Sequence, residues 1–262
     1  MKKFSRHIGL SFLVLSGTSY SQAIMPIPFV QNKVMTTTST QTSAALQTAC
    51  GSNGQNCLIV GYTTTATNTT LPLVYTTTDG GNTWSSPIVL SPPTNGTSNV
   101  LTGVACDTTG LTCMAVGTAL ISGGYVPLSY SSTDGGNTWG DPVLPTTHVN
   151  TVQSVLSGTS CNSTGLMCLA VGYAIDSNGN FLSLSYNTSD GGTTWGTPVQ
   201  LISPSGGELF NAVFNVACDG TGTSCLSVGT SMNPTAIAPV SYTSTNGGAT
   251  WSAPILPAPS SE

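Results

Sequence analysis

The chain has 262 residues, of which four are Lys or Arg and nine are Asp or Glu, giving a formal charge of −5 with only 5% of its side chains charged. Such a surface offers no basic patch, which excludes nucleic acid and anionic membrane as electrostatic partners. An apolar fraction of 39% excludes a chain that is disordered by composition, and Thr, Ser, Asn and Gly supply a polarity that suits β-structure with many turns.

Residues 1–23, MKKFSRHIGLSFLVLSGTSYSQA, open with Lys2, Lys3 and Arg6, continue through an apolar stretch from Ile8 to Leu15 and reach small residues at Ser21 and Ala23. That order predicts a secretory leader cut after Ala23. Its apolar run is too short to span a bilayer, and no later stretch reads as a membrane helix. The expectation is a soluble exported protein, secreted or periplasmic, in which Lys33 is the one base against nine acids. Residues 24–37 read as an N-terminal extension. Its MPIPFVQ segment is similar to later strands and is a candidate for closing the fold. Residues 38–262 read as one repeat domain.

That domain repeats with a period of about 56 residues, the signature of a stacked or radial repeat fold. Each repeat opens with an apolar strand into a Cys, as in NVLTGVAC. Six turn-forming residues follow, then a second Cys and a second strand, as in CLAVGY. A third strand alternates into a Tyr, as in FLSLSY, and a fourth is expected from the Trp onward, as in TTWGTPVQL. No stretch past the leader keeps a 3.6-residue apolar period. The cysteines read as hairpin disulfides Cys50–Cys57, Cys106–Cys113, Cys161–Cys168 and Cys218–Cys225, in keeping with an oxidising compartment, although sequence alone leaves other pairings open. Zinc sites bring cysteines closer and in sets of four, so no metal is expected. Closing each small loop should contribute about 2.5 kcal/mol by chain entropy.

Between the third and fourth strands lies the most repeated stretch: TTDGGNTW, SSTDGGNTW, TSDGGTTW and STNGGATW. Its fixed positions are Asp79 and Trp84, Asp134 and Trp139, Asp190 and Trp195, Asn246 and Trp251. The pattern resembles the Asp-box, or BNR, repeat. The resemblance implies a sialidase-like β-propeller, all-β, of four antiparallel four-stranded blades with one disulfide hairpin per blade. Proteins with this repeat include sialidases, xyloglucan-degrading hydrolases, sortilin-type receptors, a photosystem assembly factor and lectins, so fold alone does not name the function. The Asp can accept backbone bonds from its own turn, the Gly pair can take φ > 0, and the Trp can bury a large apolar face. Asn246 keeps an acceptor and loses the charge, which a turn cap tolerates and a catalytic acid does not. The motif is therefore read as structural.

Sialidases hold a sugar carboxylate with clustered arginines, and this chain has no Arg after Arg6, so that activity is excluded. The one carboxylate pair left for a neutral-polysaccharide hydrolase is Asp176 with Glu208. The alternating connectivity puts disulfide and motif turns at one end of the sheets and the variable loops at the other. There Tyr62, Tyr125, Tyr173, Asp176, Asn178, Asn180, Phe181, Asn233, His148, Glu208, Phe210 and Asn211 are candidate ligand contacts. The leading expectation is an exported monomer that binds a glycan or protein ligand at that end and needs no cofactor. The alternatives are the Asp176–Glu208 hydrolase and an envelope assembly factor. A ring closed by four blades within one chain is the favoured architecture.

Overall fold

The computed structural model describes residues 42–204, 210–233 and 237–256. The leader, the extension with its MPIPFVQ segment, and Glu208 lie outside the described residues.

The described chain is all β. Each repeat begins with a hairpin whose two cysteines face one another in register: β1 (Thr42–Cys50) with β2 (Cys57–Thr64), β5 (Ser98–Cys106) with β6 (Cys113–Ile121), β8 (Thr151–Cys161) with β9 (Cys168–Asp176), and β12 (Phe210–Cys218) with β13 (Cys225–Met232). All four expected disulfides form across these pairs, with Cα atoms 4.0–4.1 Å apart. No free cysteine remains. The third strands, β3 (Thr70–Thr77), β7 (Gly124–Ser132), β10 (Phe181–Thr188) and β14 (Ile237–Ser244), add antiparallel to the second.

A bulge interrupts each first strand opposite a glycine in the second, as between Ala45 and Gln47 or between Val213 and Asn215. A Cβ on Gly61, Gly117, Gly172 or Gly229 would strike the carbonyl oxygen of Ala44, Val100, Val155 or Ala212, just before the bulge, which is why the V-G pair recurs in every repeat.

The fourth strand departs from expectation. In the first and third repeats it is two residues long, β4 (Ile88–Val89) and β11 (Val199–Gln200), and starts after a proline rather than at the Trp. In the second and fourth it shrinks to one bridge, Ser129–Val143 and Ser241–Ile255. In the second repeat the cause is a second proline. Leu90 and Leu201 each donate one more bond to the third strand, to Pro72 O and Ser183 O. Pro145 occupies that position in the second repeat and has no N–H to give.

The hydrogen-bonded sheets do not simply count out four blades. A parallel pairing of Thr70 with Ser98 joins the first two repeats into one seven-stranded sheet, the third repeat is a four-stranded sheet and the fourth is three-stranded. Packing, however, follows the repeats. The three apolar clusters lie at junctions between consecutive repeats. Leu58, Val60 and Val74 meet Leu101, Val104 and Tyr130. Met114 and Val116 meet Leu156 and Tyr186. Leu169 and Val171 meet Val213, Val216 and Tyr242. A ring closed within the chain is not seen: the expected fourth junction, from the fourth repeat back to the first, is absent among the described residues, and Leu226 and Val228 are left 47% and 44% exposed.

Candidate ligand-binding surface

The repeated motif occupies the hairpin end of every sheet. The first glycine of its pair donates to the disulfide loop of its own repeat, Gly80 to Gln55 O, Gly135 to Leu111 O, Gly191 to Leu166 O and Gly247 to Thr223 O. Its acidic side chain is fully engaged inside the turn. Asp79 Oδ1 accepts from Thr83 N at 2.9 Å and Thr77 Oγ1 at 2.7 Å, while Oδ2 accepts from Thr83 Oγ1 at 2.6 Å. Asp134 and Asp190 repeat the pattern. Asn246 accepts the same Thr250 N bond at 2.9 Å and reverses the last one, donating to Thr250 Oγ1.

The side-chain and backbone bonds from Thr83 and the bond from Thr77 hold the Asp79 carboxyl down to about 2. For Asp134 and Asp190, partial burial opposes ionisation, but the bonds from Thr138 and Ser132, and from Thr194 and Thr188, outweigh it and lower both. A carboxylate with every oxygen committed and a depressed pKa is a turn brace.

Two of the tryptophans reach back to the preceding repeat. Trp195 Nε1 donates to Ser129 Oγ at 2.9 Å, and Trp251 Nε1 to Ser185 Oγ at 2.8 Å. Trp139 meets Val74 at the matching position and donates to Gly136 O instead. A cleft of about 440 Å³ opens at this end beside Met167, Trp195 and Asn246. Much of its polar lining is spent within the turns: Thr188 Oγ1 bonds Asp190 and Gly192, and Asn246 bonds Thr250, while Asn187 and Ser189 also line it.

At the opposite end the sequence candidates part company. Tyr173, Phe181 and Phe210 come together across the junction of the third and fourth repeats. Ring centroids lie 5.6 Å apart for Tyr173–Phe181, 6.4 Å for Tyr173–Phe210 and 4.6 Å for Phe181–Phe210. Phe214, which sequence reasoning missed, extends the cluster 6.4 Å beyond Phe210. The bulge after Val213 displaces it from the alternation of its strand, and the recurrent V-G pair opposite was the available signal. Burial raises the Tyr173 pKa.

The same three register positions read Tyr62, Thr70 and Ser98 at the first junction, and Thr118, Tyr125 and Gln153 at the second. The three aromatics thus coincide at one junction. Asn178 and Asn180 are exposed on the adjoining turn. Asp176 braces that turn: Oδ1 accepts from Asn178 N and Asn180 N at 2.8 Å each, and Oδ2 from Asn180 Nδ2 at 2.9 Å. The Asn180 bonds lead in lowering its pKa.

The remaining candidates sit elsewhere. Asn211 is 1% exposed and bonds Ser203 and Tyr242. The His148 ring lies 3.1 Å from Val149 O and its carbonyl accepts from Thr151. Tyr62 and Tyr125 belong to the first two repeats, and Asn233 follows β13. Among the described residues, no three His, Cys, Asp or Glu side chains converge as a metal set. No helix there is long and apolar enough to cross a membrane.

Neither models of known families nor curated proteins match the sequence. Solved structures do. A Hadza microbial sialidase superposes with a TM-score of 0.56 at 12% identity, covering 80% of this chain and 45% of that one. A leech intramolecular trans-sialidase, complexed with 2,7-anhydro-Neu5Ac, gives 0.60 at 13%, with 82% and 51% covered. The fold is sialidase-like. A protein of unknown function from Dyadobacter fermentans superposes with a TM-score of 0.61 at 15% identity, covering 82% of this chain and 69% of that one. The chain spans about half the length of the two sialidases. Four disulfides place the sialidase-like domain in an oxidising setting.

Proposed function

We infer that the protein is an exported recognition protein. It binds carbohydrate on the aromatic surface of Tyr173, Phe181 and Phe210, at the loop end of four propeller-type blades built on the Asp-box pattern. The observation that carries the reading is the coincidence of three aromatic rings at one junction, beside the exposed amides of Asn178 and Asn180. Sugars present apolar C–H faces edged by hydroxyls. Aromatic faces take the first and amides the second. The sialidase-like neighbours support a glycan as ligand, and the lack of Arg after Arg6 argues against the sialidase reaction itself. The Asp176 carboxylate, ionised and held by its own turn, is suited to bracing the platform rather than to donating a proton.

The test is a glycan array of neutral and acidic oligosaccharides, read with the unaltered chain and with Phe181→Ala. Binding that falls at least tenfold in the variant, with no sugar released, supports the reading. An intact profile in Phe181→Ala removes it. Release of reducing sugar that disappears in Asp176→Asn and Glu208→Gln would replace it with the hydrolase.

A further inference from the structure

The fourth repeat carries the surface of a fourth junction on which none of the described residues forms a junction cluster. Leu58 and Val60 are each 1% exposed, Met114 and Val116 0%, Leu169 2% and Val171 0%. The matching pair in β13, Leu226 and Val228, is 47% and 44% exposed, although Ser227 between them is fully buried on the other face. The bare strip crosses the whole sheet. Val228 pairs with Ser241, Ser241 bridges to Ile255, and Phe214 stands at the bulge beside Val228. Ile255 is 52% exposed and Phe214 38%.

The hydrogen bonds stop at the same place. At each internal junction the second residue after the first Cys donates its N–H to its counterpart in the next repeat: Ser52 to Thr108 O at 2.7 Å, Thr108 to Ser163 O at 3.2 Å, Ser163 to Gly220 O at 2.9 Å. Among the described residues two groups are left without this partner, the N–H of Gly220 and the C=O of Ser52. The tryptophan bonds end the same way. Ser241 holds the position of Ser129 and Ser185 with no Trp donating to it, and Trp84 holds the position of Trp195 and Trp251 with no acceptor among the described residues.

We propose that the exposed face of the fourth repeat docks the first repeat of a second copy of the chain, head to tail. The leftover groups at the two ends are the two halves of the junction already built three times within the chain. In the docked pair, Gly220 N–H meets Ser52 C=O of the second copy, Ser241 Oγ accepts from its Trp84, and Leu226 and Val228 cover its Gly81 turn and Ile59. The first repeat presents exposed Ala45 and Thr48 where later repeats place Leu101 and Val104, Leu156 and Thr159, or Val213 and Val216. The contact is correspondingly smaller, so association is reversible and depends on concentration. One end of one copy meets the other end of the next, so the assembly is heterologous and grows beyond two copies unless it closes. This inference does not rest on the ligand reading.

The experiment is sedimentation velocity of the purified chain over roughly 1 to 200 µM, a range that spans weak to moderate self-association. Leu226→Glu blocks the tail and Ala45→Arg blocks the head. Both positions are exposed, and circular dichroism confirms that each variant is folded; Val228→Lys stands in for Leu226→Glu if needed. The unaltered chain should gain mass with concentration. Each variant alone should stay monomeric. Their equimolar mixture should form a one-to-one dimer, because it retains one good head and one good tail. An unaltered chain that stays monomeric throughout, its face covered by residues of its own, overturns the proposal. So does self-association in which the mixture fails to pair, the mark of a tail-to-tail contact.

Discussion

The two ends of the sheets obey different rules. At the hairpin end every repeat makes the same turn with the same backbone donors, down to the N–H of Thr83, Thr138, Thr194 and Thr250 bonding the side chain four residues before. At the loop end the matching positions read Tyr62–Thr70, Thr118–Tyr125 and Tyr173–Phe181, and three aromatics meet at one junction alone. Repetition marks what the fold needs four times. A departure from it marks what is needed once.

The largest effect that could break this division lies where the hairpin end meets the core. Leu169 is buried against Gly248 and the fourth-repeat cluster, whereas Leu226 in the same register is open. Leu169→Ala should cost about 2–5 kcal/mol in denaturant unfolding, and Leu226→Ala, under dilute conditions, less than about 0.5 kcal/mol. Equal costs would mean that the junctions are not where the stability resides.

A smaller effect separates brace from charge. Asp134→Ala removes the acceptor for Thr138 N, Thr138 Oγ1 and Ser132 Oγ, and should cost about 1–2 kcal/mol. Asp134→Asn should lie within about 0.5 kcal/mol of the unaltered chain, as Asn246 already shows a working turn. Acid sharpens the same point. The carboxyls of Asp79, Asp134 and Asp190 are lowered from the ordinary 3.8, that of Asp79 to about 2. A depressed pKa contributes stability that is complete above the unfolded value. That stability should therefore fade as pH drops from about 4 towards 2, and fade less in Asp134→Asn. A stability profile flat across that range would show that the turns do not need the charge at all.

Much of the hairpin end was legible in the sequence because it is written four times: strand, turn and disulfide positions all follow from local chemistry. The shortened fourth strands were missed, because the sequence reading started them at the Trp; the signal, Pro145 standing where Leu90 and Leu201 donate, shows only once the register is known. The loop end was legible only as a set of candidates. Tyr173, Phe181 and Phe210 belong to two repeats, and nothing local says that β9 and β12 bring them together. Phe214 was hidden by the bulge. Asn211, chosen for its polarity, turned out to be buried against Tyr242.

The most direct test of the division uses the four tryptophan indole N–H signals as reporters of one end and the Tyr173, Phe181 and Phe210 ring signals as reporters of the other. An oligosaccharide that binds on the glycan array is titrated into the labelled chain and followed by NMR. The account predicts shifts in the three rings and in Asn178 and Asn180, with Trp84, Trp139, Trp195 and Trp251 unmoved. Shifts confined to the tryptophan turns would contradict it.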